Sequence, residues 1–333
     1  MIRRLTALAT LVAVALAAGA CGRPSPTHDQ PSVRGLIAGG GEAGIYYGYG
    51  QELAAVLNRE LGADVVVLET AGSVENLQLV GSGDALFGVT AADAASDAVA
   101  GHPPFDGPIE AQALARLYDD VVHLVVPASS SITEIDDLTG HRVSLGAPGS
   151  GTVLIARRLL QAAEVDTDGV MDAGLGIDAS IAGLRAGELD GFFWSGGLPT
   201  PGVAELAADM PLRLVPLGEL EAAMRDAHGP AYRQAILPHG VYEGVASTQT
   251  LAVPNFLVTH ATTDVEVVAT VLDLLFANRV SMATRVPAVG LLDQRTAIFT
   301  APVDLHPGAI RHYREAKGIH AGYEGPLPSN PGG

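Results

Sequence analysis

Residues 143–160 read VSLGAPGSGTVLIARRLL. Val143, Ser144 and Leu145 alternate as a strand does. Val153, Leu154, Ile155, Leu159 and Leu160 fall at helical spacing on one face, with Arg157 and Arg158 on the other. Between strand and helix stand three glycines, a proline and two hydroxyls. That composition suits a turn whose backbone passes close to a ligand, with Ser150 or Thr152 capping the helix. A helix start carries unpaired N–H donors and about half a positive charge, so it favours an anion.

The same strand, turn and helix pattern recurs earlier in the chain. A strand over 33–38 leads into Gly39-Gly40-Gly41-Glu42-Ala43-Gly44 and a helix over 45–61. A strand over 65–68 leads into Thr70, Gly72 and Ser73, with Ser73 placed to cap a helix over 74–82. A strand over 85–89 leads into Ala92-Asp93 and a helix to residue 100. This repetition predicts an α/β protein with an open sheet, its turns gathered where ligands bind, at the carboxyl ends of the strands. Downstream, residues 123–126, 192–194, 212–217 and 250–258 read as strands, the last interrupted by Pro254; 177–186, 264–277 and 307–316 read as helices.

The glycines at 39–44 also match the G-x-G-x-x-G dinucleotide fingerprint, with Asp64 about twenty residues on where a ribose-binding acid is sought. The bulky Tyr46, Tyr47 and Tyr49 crowd the place a pyrophosphate needs, and a nucleotide-binding enzyme is the weaker reading. Ser150 lies in G-S-G, not G-x-S-x-G, and no histidine stands in a turn beside it, so a serine hydrolase is not indicated either. The ten histidines lack the spacing of a metal site. Neither a metal nor a cofactor is expected, and His306 and His312 read as structural.

At the amino terminus, residues 1–21 combine Arg3 and Arg4, an apolar run and Ala18-Gly19-Ala20-Cys21. This is an export signal ending as a lipobox does, with Cys21 as the lipidated residue, and the apolar core is short of the roughly 20 residues a span requires. Residues 22–34 hold three prolines and read as a tether; 321–333 read as a flexible tail. Cys21 is the only cysteine, so no disulfide forms within the chain. The formal charge of −18 becomes −20 once Arg3 and Arg4 leave with the signal. Such a surface excludes nucleic acid and anionic lipid as partners.

Taken together, GGGEAGIYY at 39–47, TAGSVENL at 70–77, APGSGT at 147–152, FFWSGGLP at 192–199 and APVDLHPGAIRHY at 301–313 resemble the TAXI family. These are extracytoplasmic solute-binding proteins of TRAP transporters, and the resemblance spans residues 36–319. It implies a two-lobe periplasmic-binding-protein fold of type II, with lobe one formed by 35–125 plus 250–320 and lobe two by 126–249. It implies a receptor and not an enzyme, anchored outside the bacterial cell membrane. Expected ligands are small organic acids such as glutamate or 2-oxoglutarate, delivered by a monomer to membrane permease subunits; the alternative is a solute-sensing lipoprotein without a transport role.

On that reading a ligand carboxylate meets Ser150, Gly151 and Thr152, faced from lobe one by Thr70, Gly72, Ser73 and Asn76. Gly44, Tyr46 and Tyr47 close one side; Trp194, Gly196 and Gly197 supply a wall from lobe two. The family's Gln-Ser-Asp triplet is replaced by Ala91-Ala92-Asp93, which implies a less polar or shorter ligand. Ala92 and Asp93 remain candidate contacts, Asp93 either binding an amine or capping its helix. No arginine falls in these motifs.

Overall fold

The computed structural model describes residues 33–317. The expected export signal, Cys21, most of the expected tether and the expected tail lie outside the described residues. Lobe one begins with β1 (Arg34–Ala38), α1 (Ile45–Leu61), β2 (Asp64–Leu68), α2 (Ser73–Ser82), β3 (Phe87–Ala91) and α3 (Ala92–Ala100). Long strand β4 (Ala111–Pro127) then runs into the second lobe, built from β5 (Arg142–Ser144), α4 (Gly151–Ala162), β6 (Met171–Asp172), α5 (Ile177–Ala186), β7 (Gly191–Gly196), α6 (Pro201–Asp209), β8 (Leu212–Leu214), α7 (Glu221–His228) and β9 (Arg233–Leu237). The chain returns along β10 (Thr248–His260) and ends in α8 (Val265–Met282) and α9 (Pro307–Ala316).

One sheet runs through both lobes in the order β2-β1-β3-β10-β4-β7-β5-β6, with β8 on β4 and β9 on β10. β1 pairs in parallel with β2 and β3, and β5 in parallel with β6 and β7. The crossing strands β4 and β10 are antiparallel to each other and change partners part-way. β10 pairs with β3 at 255–258 and with β9 at 248–252, while β4 pairs with β7 at 121–125. Two parallel βα units joined by shared antiparallel strands make the two-lobe type II fold.

Pro254 does not interrupt its strand. β10 passes through it with a register shift between Pro254 and Phe256, opposite Asp119 and Arg116 of β4. Such a bulge tolerates the missing N–H. β4 starts twelve residues before the apolar segment that marks it in sequence, because Arg116, Asp119 and Asp120 break the pattern. Ser73 is the first residue of α2 and does not cap it; Gly72 precedes it with φ of 129°. α6 and α7 have no counterpart in the sequence reading.

Apolar burial holds each lobe. Ile37, Leu53, Leu57, Phe87, Leu257 and Leu272 pack on one face of lobe one, and Phe192, Leu184, Val203 and Leu206 fill the same role in lobe two. A third cluster, from Leu77 and Val80 through Leu124 and Val253 to Ile155 and Leu159, continues from one lobe into the other. His306 and His312 are structural, as read: the His306 ring accepts from Gly308 N at the start of α9, and His312 stacks on Phe276 beside Asp273.

Candidate functional site

The cavity of about 260 Å³ between the lobes is bounded by the first residues of four helices. These are Ile45 and Tyr46 of α1, Ser73 of α2, Gly151 and Thr152 of α4, and Ile177 and Asp178 of α5. Each start follows a parallel strand or its loop, so the fold brings four helix N-termini to one space.

The turn at 146–152 is built by its glycines. Gly146 has φ of 115°, and a Cβ there would stand 2.7 Å from Val153 N. Gly151 is needed for close approach between lobes, since its Cβ would lie 2.7 Å from Ser73 Oγ. Ser150 caps α4, its Oγ accepting from Val153 N at 3.1 Å. Thr152 Oγ1 accepts from Ser195 N at 3.3 Å, tying α4 to β7. Across the cleft, Thr70 Oγ1 takes Gly40 N at 2.9 Å and donates to Asn76 Oδ1 at 2.5 Å. Ser73 Oγ accepts from Ala91 N at 3.0 Å. Glu75 N donates to Gly149 O at 3.0 Å, so the α2 and α4 turns touch.

Of the residues singled out in sequence, Gly44, Tyr46, Thr70, Gly72, Ser73, Ser150, Gly151, Thr152, Trp194 and Gly196 line the cavity. Tyr47, Asn76, Ala92, Asp93 and Gly197 do not. Asn76 is fully buried behind Thr70 and holds Val89 O. Asp93 neither caps α3 nor faces the cavity. It is buried against Tyr232 (2.7 Å) and Arg158 (3.4 Å), and burial raises its pKa. Gly197 packs under Tyr118 and Ile45.

The sequence reading missed Asp120. It lies on β4 where the strand crosses between lobes, 1% exposed on the cavity floor. Its Oδ2 accepts from Ser195 Oγ at 3.4 Å and lies 3.3 Å from Tyr46 Oη, whose proton goes to the closer Asn255 Oδ1. Desolvation pushes its pKa up to about 7, against the opposing pull of Asn255, Tyr46 and Ser195. Burial first, then the Asp120 charge, holds the Tyr46 and Tyr118 hydroxyls well above the ordinary tyrosine range. Glu69 and Asp178 stand exposed at the rim. No lysine, arginine or histidine lines this cavity, and no cluster suited to a metal occurs among the described residues. Asp64 opens β2 beside Arg34, at the end of the strand away from the glycine turn, so it is not placed to meet a ribose there.

A model of the NMT1-like family matches residues 37–317. The chain belongs to the NMT1-like family. Several solved structures share the fold of this NMT1-like protein. A Bordetella bronchiseptica RB50 protein aligns with a TM-score of 0.52 at 18% identity, covering 87% of this chain and 90% of the other. The periplasmic binding protein BugD aligns at 0.53 and 14% identity, covering 86% and 93%. A structure described as a periplasmic transporter aligns at 0.51 and 13%, again covering 86% and 93%.

Proposed function

We propose that this protein is an extracytoplasmic solute receptor of the TAXI type, anchored through Cys21 to the bacterial cell membrane and serving a TRAP-type secondary transporter. The observation that carries this reading is the convergence of four helix starts from two lobes on one small cleft. Such a site binds a carboxylate through oriented backbone donors without a cationic side chain. A cavity of about 260 Å³ lies at the small end for ligand sites, which suits a metabolite and not a peptide. A small carboxylate-bearing solute fits by size, and the family resemblance, which implies organic acids as ligands, supports that class. The periplasmic naming of BugD agrees with the address expected from residues 1–21.

The test is a thermal-shift screen against organic acids and amino acids, followed by calorimetry. A ligand at 100 times its dissociation constant adds about 2.7 kcal/mol. The bound solute should be recovered chemically intact, with saturable binding and no product; steady turnover contradicts a receptor. For the finer assignments, Cys21→Ser should release the exported protein into the soluble fraction. Uptake should follow an ion gradient, and uptake that follows ATP hydrolysis instead contradicts the TRAP partnership.

A further inference from the structure

The charge pattern inside the cavity narrows the solute beyond its carboxylate, and this narrowing rests on the receptor reading above. Asp120 Oδ1 is buried with no hydrogen-bond partner. The Tyr118 hydroxyl on the same floor is also unsatisfied, as is Asn255 Nδ2, which lies beside Asp120 outside the cavity wall. Buried polar groups are nearly always paired, and an unpaired buried carboxylate is the costliest exception. Other buried side-chain atoms also lack partners, Asp93 Oδ1 among them, but the buried carboxyls Asp93 and Asp97 have a counter-charge in Arg158. At Asp120 no side chain of the cavity wall supplies a counter-charge. Glu69 and Asp178 add two more carboxyls at the rim, so a second anionic group on the ligand would meet like charge with no cation to offset it.

We propose that the site takes a solute with one carboxylate and one protonated nitrogen, the ammonium seated on Asp120 and the carboxylate at the helix starts, and that it rejects dicarboxylates. An ammonium has three donors. They serve Asp120 Oδ1 and the tyrosine oxygens, while the backbone donors of α2 and α4 take the carboxylate end. The ligand is thus a small neutral amino acid or a close relative, and glutamate and 2-oxoglutarate are disfavoured.

The groups facing Asp120 are Tyr46 from α1, Tyr118 and Asp119 from β4, Ser195 from β7 and Asn255 from β10, with Asp93 acting on Tyr46 from α3. Asp119 is ion-paired with Arg116 at 2.6 Å, and the tyrosines ionise far above neutrality. Asp120 is therefore the group that titrates near pH 7. An ammonium needs it ionised.

The experiment compares matched pairs by calorimetry: alanine with pyruvate, valine and leucine with their 2-oxo acids, and glutamate with 2-oxoglutarate. All twenty amino acids are first screened by thermal shift. A monocarboxylic amino acid should bind at least ten-fold more tightly than its 2-oxo acid. Its affinity should rise up to about ten-fold per pH unit from pH 5 and level off above neutrality. Asp120→Asn should lose ten-fold or more in affinity and lose the pH slope. Equal or tighter binding of an oxo acid or dicarboxylate, or affinity that rises as pH falls, overturns this inference and leaves the receptor reading standing. Unchanged binding by Asp120→Asn overturns it likewise. Binding of neither series overturns both. Were Asp120→Asn not to fold, the wild-type pH profile and the matched pairs decide without it.

Discussion

Asp120 and His123 lie three residues apart on β4, and each is buried with a displaced pKa of opposite consequence. Asp120 rises from 3.8 to about 7, chiefly by desolvation. Its folded form prefers the proton, so without ligand it costs stability as pH climbs from about 4 to 7. At about 1.4 kcal/mol per pKa unit, the penalty reaches at most about 4 kcal/mol. His123, held neutral against Val121 O and the Tyr242 hydroxyl, falls from 6.5 to about 4, again by desolvation. The unfolded chain then binds the extra proton, so this residue costs stability as pH falls from 6.5 through 4. The two slopes oppose each other over one window. Asp120→Asn should therefore be more stable than wild type at pH 8 and should unmask a stability that rises with pH between 4 and 6.5. Urea unfolding of both proteins at several pH values checks it, and parallel curves contradict it. Asp120 was not legible beforehand. In Tyr118-Asp119-Asp120-Val121 two adjacent acids interrupt the apolar pattern, so the strand is read only from His123, and the pairing of β4 with β7 and β10 turns the second acid inward.

The helices carry most of what the sequence revealed. α1, α5 and α9 begin and end where periodicity and glycine or proline punctuation place them. The α4 turn is legible for the same reason: a glycine-rich loop between a strand and an amphipathic helix has few other solutions. Less legible is what α4 does on its other side. Arg158, on the face of its helix opposite the apolar stripe, reaches across to α3, with Asp97 at 2.5 Å and Asp93 at 3.4 Å, and to the Tyr232 hydroxyl. Hydrophobic periodicity marks one face as buried, but it does not reveal that the opposite face of a helix meets a second lobe. Because Arg158 relieves two buried carboxyls, Arg158→Leu should destabilise by about 3–5 kcal/mol. Asp93→Asn added to that variant should recover part of the loss, measured as a double-mutant cycle in urea. Additive losses contradict a coupled network. At the opposite end of α4, Gly151→Val should abolish ligand binding while the protein stays folded. Its side chain meets Ser73 across the cleft and holds the lobes apart. Ser150→Ala should cost only the helix cap, about 0.5–2 kcal/mol of stability, and normal calorimetric binding by Gly151→Val contradicts the placement.

At the scale of the molecule, two apolar clusters stay within their own lobes while the third runs from one lobe to the other. The shared cluster and strands β4 and β10 form the connected side. The helix starts of α1 and α5 belong to separate cores, Ile45 to that of lobe one and Ile177 to that of lobe two. Closure over a solute should move the seam between them most. Trp194, the only tryptophan in the chain, stands on it. It projects from β7 of lobe two toward Gly44 at the start of α1 in lobe one, where a Cβ on Gly44 would lie 3.4 Å from the indole. The ring is half-buried, and its Nε1 donates to Thr200 Oγ1 at 3.0 Å within lobe two. If the lobes part, the indole keeps that bond and loses its cover, so water reaches the ring face. Ligand binding should therefore shift Trp194 emission to shorter wavelength or change its intensity, saturating with the calorimetric isotherm. Gly151→Val, unable to close, should retain the ligand-free spectrum at any ligand concentration. A wild-type spectrum that stays flat through saturation means the lobes meet at Gly44 with or without solute, and the seam is then a fixed wall of the site.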